Sequence, residues 1–328
     1  MSNGIDLSRA RDIVSDILSK RDVRSIAFVG CGASSAELYP AYYFLKDAST
    51  KLRPFHFTAN EFDYDTPAWV DEHCLVLTCS LGGNTPETVA ANDVAHQHGA
   101  AVVAVTHKAE SPLAKDADYV ITHGFEANYA AKLEKMGYVL DVALELLQQV
   151  EGYEHYDAMI DGLTKIFDHG ERSAQQAKGL AAKFGRDFKS DPIIYYMSSG
   201  ASLDVAYSES VCLMMEMQWI NSGNFSTGDF FHGPFEIVDK DVPFVLMMNE
   251  GNTRHLDERA LTFLHRFNAK VGVVDTKDYD LADVVAPEVI TYFNPFIHTA
   301  VFRTYAEALS KERNHPLTLR RYMWKLEY

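Results

Sequence analysis

Three stretches of this chain combine residue types that can do chemistry. The first is Ser80-Leu81-Gly82-Gly83-Asn84-Thr85-Pro86. An apolar run, Cys74-Leu75-Val76-Leu77, leads into it, and a helix-like run, Glu87 to His98, leads out. The approach is short, apolar and β-leaning, so it reads as a buried strand. Thr85 suits an N-cap, Pro86 the first helical position, and Glu87 the positive end of the helix dipole. Two glycines let the backbone turn tightly and let an anion approach its N–H groups. Strand, hydroxyl-and-glycine loop and helix N-terminus together make a phosphate cradle, though an ordinary, well-capped βα turn uses the same parts. The loop has neither the Gly-Lys-Ser/Thr of a Walker loop nor the G-x-G-x-x-G of a dinucleotide fingerprint. A second turn of this kind, Gly30-Cys31-Gly32-Ala33-Ser34-Ser35, follows the strand-like run Arg24 to Val29.

The second stretch is Val211-Cys212-Leu213-Met214-Met215-Glu216-Met217-Gln218-Trp219-Ile220. It is apolar nearly all round, which predicts a buried helix with the three methionines as core filling. Glu216 lies in its middle. A buried carboxylate needs a partner or it protonates. Desolvation raises its pKa, which turns a carboxylate into a base near neutral pH. The alternative is a structural glutamate satisfied by a buried cation, and a carboxyl locked to an arginine would speak for it. The third stretch is Phe230-Phe231-His232-Gly233-Pro234-Phe235-Glu236, after a polar loop, Asn221 to Asp229. Between aromatics and a Gly-Pro turn, His232 is expected to be partly buried, as an acid or base or as a histidine that bonds the turn. The end of the chain, Arg313 to Tyr328, is dense in cations and aromatics. It would dock on the core or a second subunit, or supply positive charge to an anionic site. No H-x-x-H, HExxH or G-x-S-x-G occurs, so no metal or serine-hydrolase site is expected.

Alternating strands and helices must position these residues. A helix over Asp6 to Lys20 is followed by strands at Arg24–Val29, Phe55–Ala59, Cys74–Leu77, Val102–Thr106 and Tyr119–Thr122. A long helix, Tyr129–Glu151, closes this half, and a mixed, helical linker is expected over Gly152–Asp168. Such alternation predicts a mostly parallel sheet covered on both faces, with ligands at the carboxyl ends of its strands. The second half repeats the first: Ile26 to Ile193, Thr85 to Thr253 and Val102 to Val271 step by 167, 168 and 169 residues. Three steps this close point to a tandem duplication. Ser80 has become Met248 in the second copy, so the phosphate site belongs to the first.

The 328 residues allow two domains of ordinary size, taken as 1–160 and 161–328. A hydrophobic fraction of 47% with 23% charged residues is globular. A net charge of -16 is poorly suited to nucleic acid, so an anion would be attracted locally, by helix ends or a few placed cations. Cys31, Cys74, Cys79 and Cys212 form no C-x-x-C pair and read as reduced and buried. Neither a signal-peptide pattern at Met1 to Asp6 nor a membrane-length apolar run is present, so a cytoplasmic protein without a membrane partner is expected.

Two αβα halves with Ser80-Leu81-Gly82-Gly83-Asn84-Thr85 as a Ser-x-x-Gly-x-Thr loop resemble the sugar isomerase (SIS) domain pair. Glu216, followed after 16 residues by His232 within Gly228-Asp229-Phe230-Phe231-His232-Gly233-Pro234, is similar to the isomerase half of glucosamine-6-phosphate synthase. The blocks Met215-Glu216-Met217-Gln218-Trp219-Ile220 and Phe230 to Ile237, with His315-Pro316-Leu317 and Arg320-Arg321-Tyr322-Met323-Trp324-Lys325, look like the bacterial fructosamine-6-phosphate deglycases. The resemblance runs essentially the whole chain. It departs at Gly82, where the wider family carries Ser, at Asp229, where Glu is usual, and near Ser226, where close relatives carry His. It implies an α/β fold of two tandem SIS-type αβα sandwich domains. The implied reaction turns a 6-phosphofructosyl amino acid and water into glucose 6-phosphate and a free amino acid, with no cofactor or metal. By the same resemblance, His232 assists ring opening and Glu216 moves a proton between C1 and C2. Gly32, Ser34, Ser35, Ser80, Gly82, Asn84 and Thr85 hold the phosphate, Lys325 lies near the sugar, and the assembly is a homodimer with shared active sites. A plain aldose-ketose isomerase would need the same Glu and His. A non-catalytic phosphosugar sensor would show a DNA-binding helix-turn-helix or lack both residues.

Overall fold

The computed structural model of the chain describes residues 4–327. Met1 to Asn3, within the stretch read for a signal peptide, and Tyr328, the last residue of the cationic tail, lie outside the described residues. The chain divides into two compact units, Met1–Asp168 and His169–Tyr328.

The first unit is built on a five-stranded parallel sheet of order β2-β1-β3-β4-β5. Its strands are β1 (Ser25–Gly30), β2 (Arg53–Thr58), β3 (Cys74–Cys79), β4 (Ala101–Thr106) and β5 (Tyr119–Thr122). β1, β3 and β4 are buried along their whole length, as continuous apolar runs in a doubly covered sheet should be. Ala27, Val29, Cys74, Val76 and Val102 pack with Ala59, Phe62, Ala91 and Ala95 of helices α3 (Ala59–Tyr64) and α4 (Pro86–Gln97). The alternate residues Ile26, Phe28, Leu75, Leu77 and Val103 point to the other face and are fully buried too. Helices α1 (Leu7–Lys20), α2 (Gly32–Ala48) and α6 (Tyr129–Glu151) pack together, with α6 between the other two. The short helix α5 (Pro112–Lys115) follows β4. Three αβα layers result, as expected.

Helix α7 (Tyr156–Phe188) runs across the division between the units without a break. Only Gly152 to His155 interrupts the helices where a mixed linker was expected. The second unit has a four-stranded parallel sheet of order β7-β6-β8-β9. Its strands are β6 (Ile193–Ser198), β7 (Asn221–Ser226), β8 (Pro243–Met248) and β9 (Lys270–Asp275), and its main helices are α8 (Leu203–Tyr207), α9 (Arg254–Arg266) and α10 (Asn294–Glu312). β6, β8 and β9 repeat β1, β3 and β4, and the strand order repeats with them, which is the tandem duplication in three dimensions.

Two local expectations fail for identifiable reasons. Asn221–Ser226, expected as a loop, is the edge strand β7, in register with the whole of β6. Pairing on one side satisfies its backbone, Ser222 Oγ donates to Ile194 O at 2.6 Å, and the Phe225 ring lies 5.2 Å from that of Tyr195. An edge position tolerates polar residues. The helix around Glu216 is a π-helix over Ser208–Gln218, and it is not buried all round. Met214 is core, but Met215 and Trp219 are exposed at 40% and 38%. Cys31 is half-buried, unlike the other three free cysteines.

Candidate functional site

The strand order places the first cradle. β1 and β3 are neighbours, with Gly30 opposite Cys79, and β1 leads to one edge of the sheet while β3 leads towards the other. This is the switch point of an open α/β sheet, where loops diverge and leave a crevice at the carboxyl ends. Gly32–Ser35 and Ser80–Thr85 leave the sheet side by side there, and Thr88 Oγ1 reaches to 4.0 Å of Cys31 Sγ between them.

Ser80 Oγ lies 3.0 Å from Thr85 Oγ1 and accepts from the Gly83 N–H at 3.2 Å. Thr85 is the N-cap residue of α4, yet its hydroxyl does not cap the helix; it is turned to Ser80. Pro86 has no N–H, and the first intrahelical bond runs from Val89 N to Thr85 O. The Glu87 and Thr88 N–H groups are therefore without an intrahelical acceptor, beside two hydroxyls, at the positive end of the helix dipole. Gly83 has φ +64°, and a Cβ there would fall 2.1 Å from Ser111 Oγ, so only glycine makes this turn. A Cβ at Gly82 would come within 2.9 Å of Asn84 Oδ1. The space a serine would need at 82 is thus shared with the exposed Asn84 amide. In the other turn, Gly32 (φ +53°) opens α2 directly after Cys31, whose side chain makes no cap bond. Ser34 is half-buried. Ser35 is buried, and its hydroxyl lies 3.0 Å from His56 Nε2. Of the expected phosphate ligands, Ser35 and Ser80 are both buried, Ser35 with its hydroxyl against His56 and Ser80 with its hydroxyl against Thr85.

Glu216, His232 and Lys325 all belong to the second unit. Glu216 lines a cavity of about 750 Å³ with Met215, Trp219, Asn221, Arg320 and Tyr322. Its carboxylate Oε1 is 2.6 Å from Arg320 Nη2, with side-chain exposures of 23% and 8%. Burial raises the pKa of Glu216 and outweighs the Arg320 guanidinium, which pulls it down. The expected dry carboxylate is thus corrected to a half-buried, ion-paired one on a cavity wall. Arg320 is in turn fixed by donating to Leu317 O at 2.7 Å and Leu319 O at 3.0 Å. The cationic tail therefore does bring positive charge to an anion, that of its own chain. Lys325 is exposed, and its Nζ donates to Arg320 O at 2.5 Å rather than lining the cavity. His232 is exposed, not partly buried. Its backbone N–H donates to Asp229 O at 2.8 Å in the turn after β7. Gly233, at φ +138° and open to space, carries the chain away beside it. Among the described residues, no hydrogen bond, ion pair or ring contact joins His232 to Glu216.

Among the buried ionisable residues that sequence reasoning missed are Glu209 and Lys135. Glu209, on the same π-helix, is lifted to about 8 by burial, against the pull of Arg303. Lys135, on α6, is buried beside the first cradle. Neither stands out in the sequence: Glu209 lies between Ser208 and Ser210, and Lys135 follows Lys132 and Glu134. Among the described residues, no group of three or more His, Cys, Asp or Glu side chains could hold a metal, and no helix is long and apolar enough to cross a membrane.

A SIS-domain family model matches residues 19–142, the part of the first unit that carries both turns. The fructosamine deglycase of Bacillus subtilis is 40% identical over 311 residues, spanning 95% of this chain and 94% of that protein. The chain belongs to the fructosamine deglycase family of SIS-domain proteins. The family extends to the fructoselysine 6-phosphate deglycase of Escherichia coli, 28% identical to this chain over 274 residues, 82% of this chain and 78% of that one. A Salmonella typhimurium structure, provisionally described as a phosphosugar isomerase, superposes with a TM-score of 0.94 at 38% identity, covering 98% of this chain and 99% of that chain.

Proposed function

We propose that this deglycase-family member converts a 6-phosphofructosyl amino acid and water into glucose 6-phosphate and the free amino acid. The observation that carries the reading is the Ser80–Thr85 hydroxyl pair set against the uncapped N-terminus of α4. It is a site for a phosphate with no metal required. Ser34, Ser80 and Thr85, with Gly32, Gly82 and Asn84 shaping the turns, anchor the 6-phosphate; Ser35 contributes through its backbone and its bond to His56. His232, exposed on the turn after β7, assists ring opening. Glu216 takes a proton from C1, giving an enaminol, and returns it to C2. The C1–N bond becomes an imine, water adds to it, and the amine leaves with glucose 6-phosphate formed. The same reading includes a cytoplasmic homodimer with shared active sites, a first domain over 1–160 and a second over 161–328, and Lys325 as a residue near the sugar.

Arg320 sets a condition on this mechanism. A carboxylate paired with a guanidinium is a weaker base than the same carboxylate desolvated alone. With Arg320 in place burial still keeps the Glu216 pKa raised, so the pairing weakens the base without cancelling it. The ion pair also favours a second reading, in which Glu216 clamps the tail and takes no part in the chemistry. One assay separates the functional classes. The protein is offered 6-phosphofructosyl-lysine, -asparagine and -glutamine, and glucose 6-phosphate release is followed with a coupled dehydrogenase. Release from any of them supports the deglycase. Turnover of fructose 6-phosphate alone points to an isomerase, and binding without turnover to a sensor.

A further inference from the structure

A buried cation sits behind the Gly32–Ser35 turn. Lys135, on α6, is 4% exposed. Its Nζ donates to Ser34 Oγ at 3.1 Å and is ion-paired with Glu37. Ser34 and Glu37 are three residues apart at the start of α2, so they share one face of that helix. An ammonium has donors only, so the Ser34 oxygen is the acceptor here, and its own O–H hydrogen must point elsewhere. The neighbour in reach is the Cys79 thiol, which is fully buried and kept protonated by that burial. A thiol is a weak acceptor. Ser34 is thus a donor without a strong acceptor, in the first turn of a helix whose N-cap side chain makes no cap bond. Glu37 explains how the charge stays: a buried ammonium without a counter-charge would lose its proton.

We propose that Lys135 is a positioning residue that sets the Ser34 hydroxyl as a hydrogen-bond donor to the phosphate group of the substrate, with Glu37 holding the ammonium in place. The inference rests on the phosphate-cradle reading of the same turns. Because the Lys135–Glu37 pair is neutral as a whole, the cradle gains a directed donor without becoming a general anion trap. A phosphate oxygen would replace the thiol as the partner of Ser34, and the exchange favours the phosphorylated sugar over its unphosphorylated counterpart.

The test measures kcat and KM with the 6-phosphofructosyl amino acid that is turned over, and the Kd of inorganic phosphate by calorimetry. The proteins are the wild type, Lys135→Met, the paired variant Lys135→Met with Glu37→Gln, Ser34→Ala, and Ser34→Ala with Lys135→Met. Losing a charge-assisted donor should raise KM and the phosphate Kd about ten-fold or more, with kcat within about two-fold. The paired variant removes both charges and so escapes the cost of an unpaired buried carboxylate. It should keep the raised Kd, and Lys135→Met should add nothing to Ser34→Ala. Wild-type phosphate affinity in the paired variant would make the pair purely structural and overturn the proposal, as would additive effects of Ser34→Ala and Lys135→Met. If phosphate binding depends on Lys135 but no fructosyl amino acid is turned over, the inference stands and the deglycase reading falls. If turnover is normal and phosphate affinity is the same in every variant, the reverse holds.

Discussion

The loop after β3 and the loop after β8 are copies of one turn that have been filled in opposite ways. Both follow a fully buried strand and both rest on a glycine at positive φ, Gly83 at +64° and Gly251 at +101°. In the first copy, Ser80 and Thr85 hydroxyls bond each other and the helix N-terminus beside them is uncapped. In the second, the step of 168 residues puts Met248, 3% exposed, where the first copy has Ser80. The polar centre of the second loop is taken by Asp257, which is fully buried. Its carboxylate accepts from Asn249 N at 3.0 Å, Asn249 Nδ2 at 3.1 Å and Thr227 Oγ1 at 2.7 Å. The second copy thus carries an anion of its own in the place where the first offers donors. Backbone geometry alone does not make a phosphate site; which groups the turn leaves unsatisfied decides it.

If anchoring belongs to the first copy and proton transfer to the second unit, the largest effect should come from the second unit but not from its closed loop. Glu216→Ala should lower kcat by about 10²- to 10⁴-fold, the range for a lost general acid–base group, while circular dichroism shows the fold unchanged. Glucose 6-phosphate release near the wild-type rate would leave Glu216 as a clamp for the tail. The next largest effect tests the loops against each other. Ser80→Ala should raise KM about ten-fold with kcat little changed, because the lost group meets an anion. Thr253→Ala, in the second loop, should leave KM alone. Equal KM effects would break the comparison outright. Gly83→Ala and Gly251→Ala sharpen it. The added Cβ would fall 2.1 Å from Ser111 Oγ in one and 2.2 Å from Thr291 Oγ1 in the other. Each should cost about 1–3 kcal/mol of stability in denaturant unfolding, but only the first should also raise KM.

The architecture was legible because its signals are periodic. Buried parallel strands are continuous apolar runs, and α6 was bounded correctly from Tyr129 to Glu151 by its long apolar pattern and the glycine after it. The turn after β3 was legible as strand, turn and helix start because a glycine, two hydroxyls and a Pro-Glu helix start are local features. What the sequence hid was decided by contacts far along the chain. Asn221–Ser226 has a polar composition that belongs to loops, and only the backbone of β6 makes it a strand. The partner of Glu216 is 104 residues away at Arg320, and no spacing rule connects them. The cations of the tail were visible as a group, but the choice of Arg320 over Lys325 depends on how the tail folds back. Lys135 was hidden for a similar reason: one lysine in an amphipathic helix reads as surface until Glu37 and Ser34 are seen beside it.

The smallest expected effect concerns the anion that closes the second loop. Burial lifts the Asp257 carboxyl above its usual value, although the bonds from Asn249 and Thr227 pull it back in part. Below about pH 4 the folded and unfolded chains both hold this proton, and the contribution to stability is complete. As the pH rises, the unfolded chain releases the proton first, so stability falls until the folded carboxyl has ionised as well. Asp257→Asn removes that term. The side-chain amide can still accept from Asn249 through its oxygen and donate to the Thr227 hydroxyl through its nitrogen, so the loop should stay closed. The other buried carboxylates, Glu209 among them, shift in the same direction in both proteins, and they cancel when the two are compared. The difference in Tm between Asp257→Asn and the wild type should therefore move in favour of the variant from pH 4 upwards, by a few degrees. A difference independent of pH would mean that Asp257 ionises in the fold as it does in water. The second loop would then be an open anion-repelling turn, and its contrast with the first cradle would rest on Met248 alone.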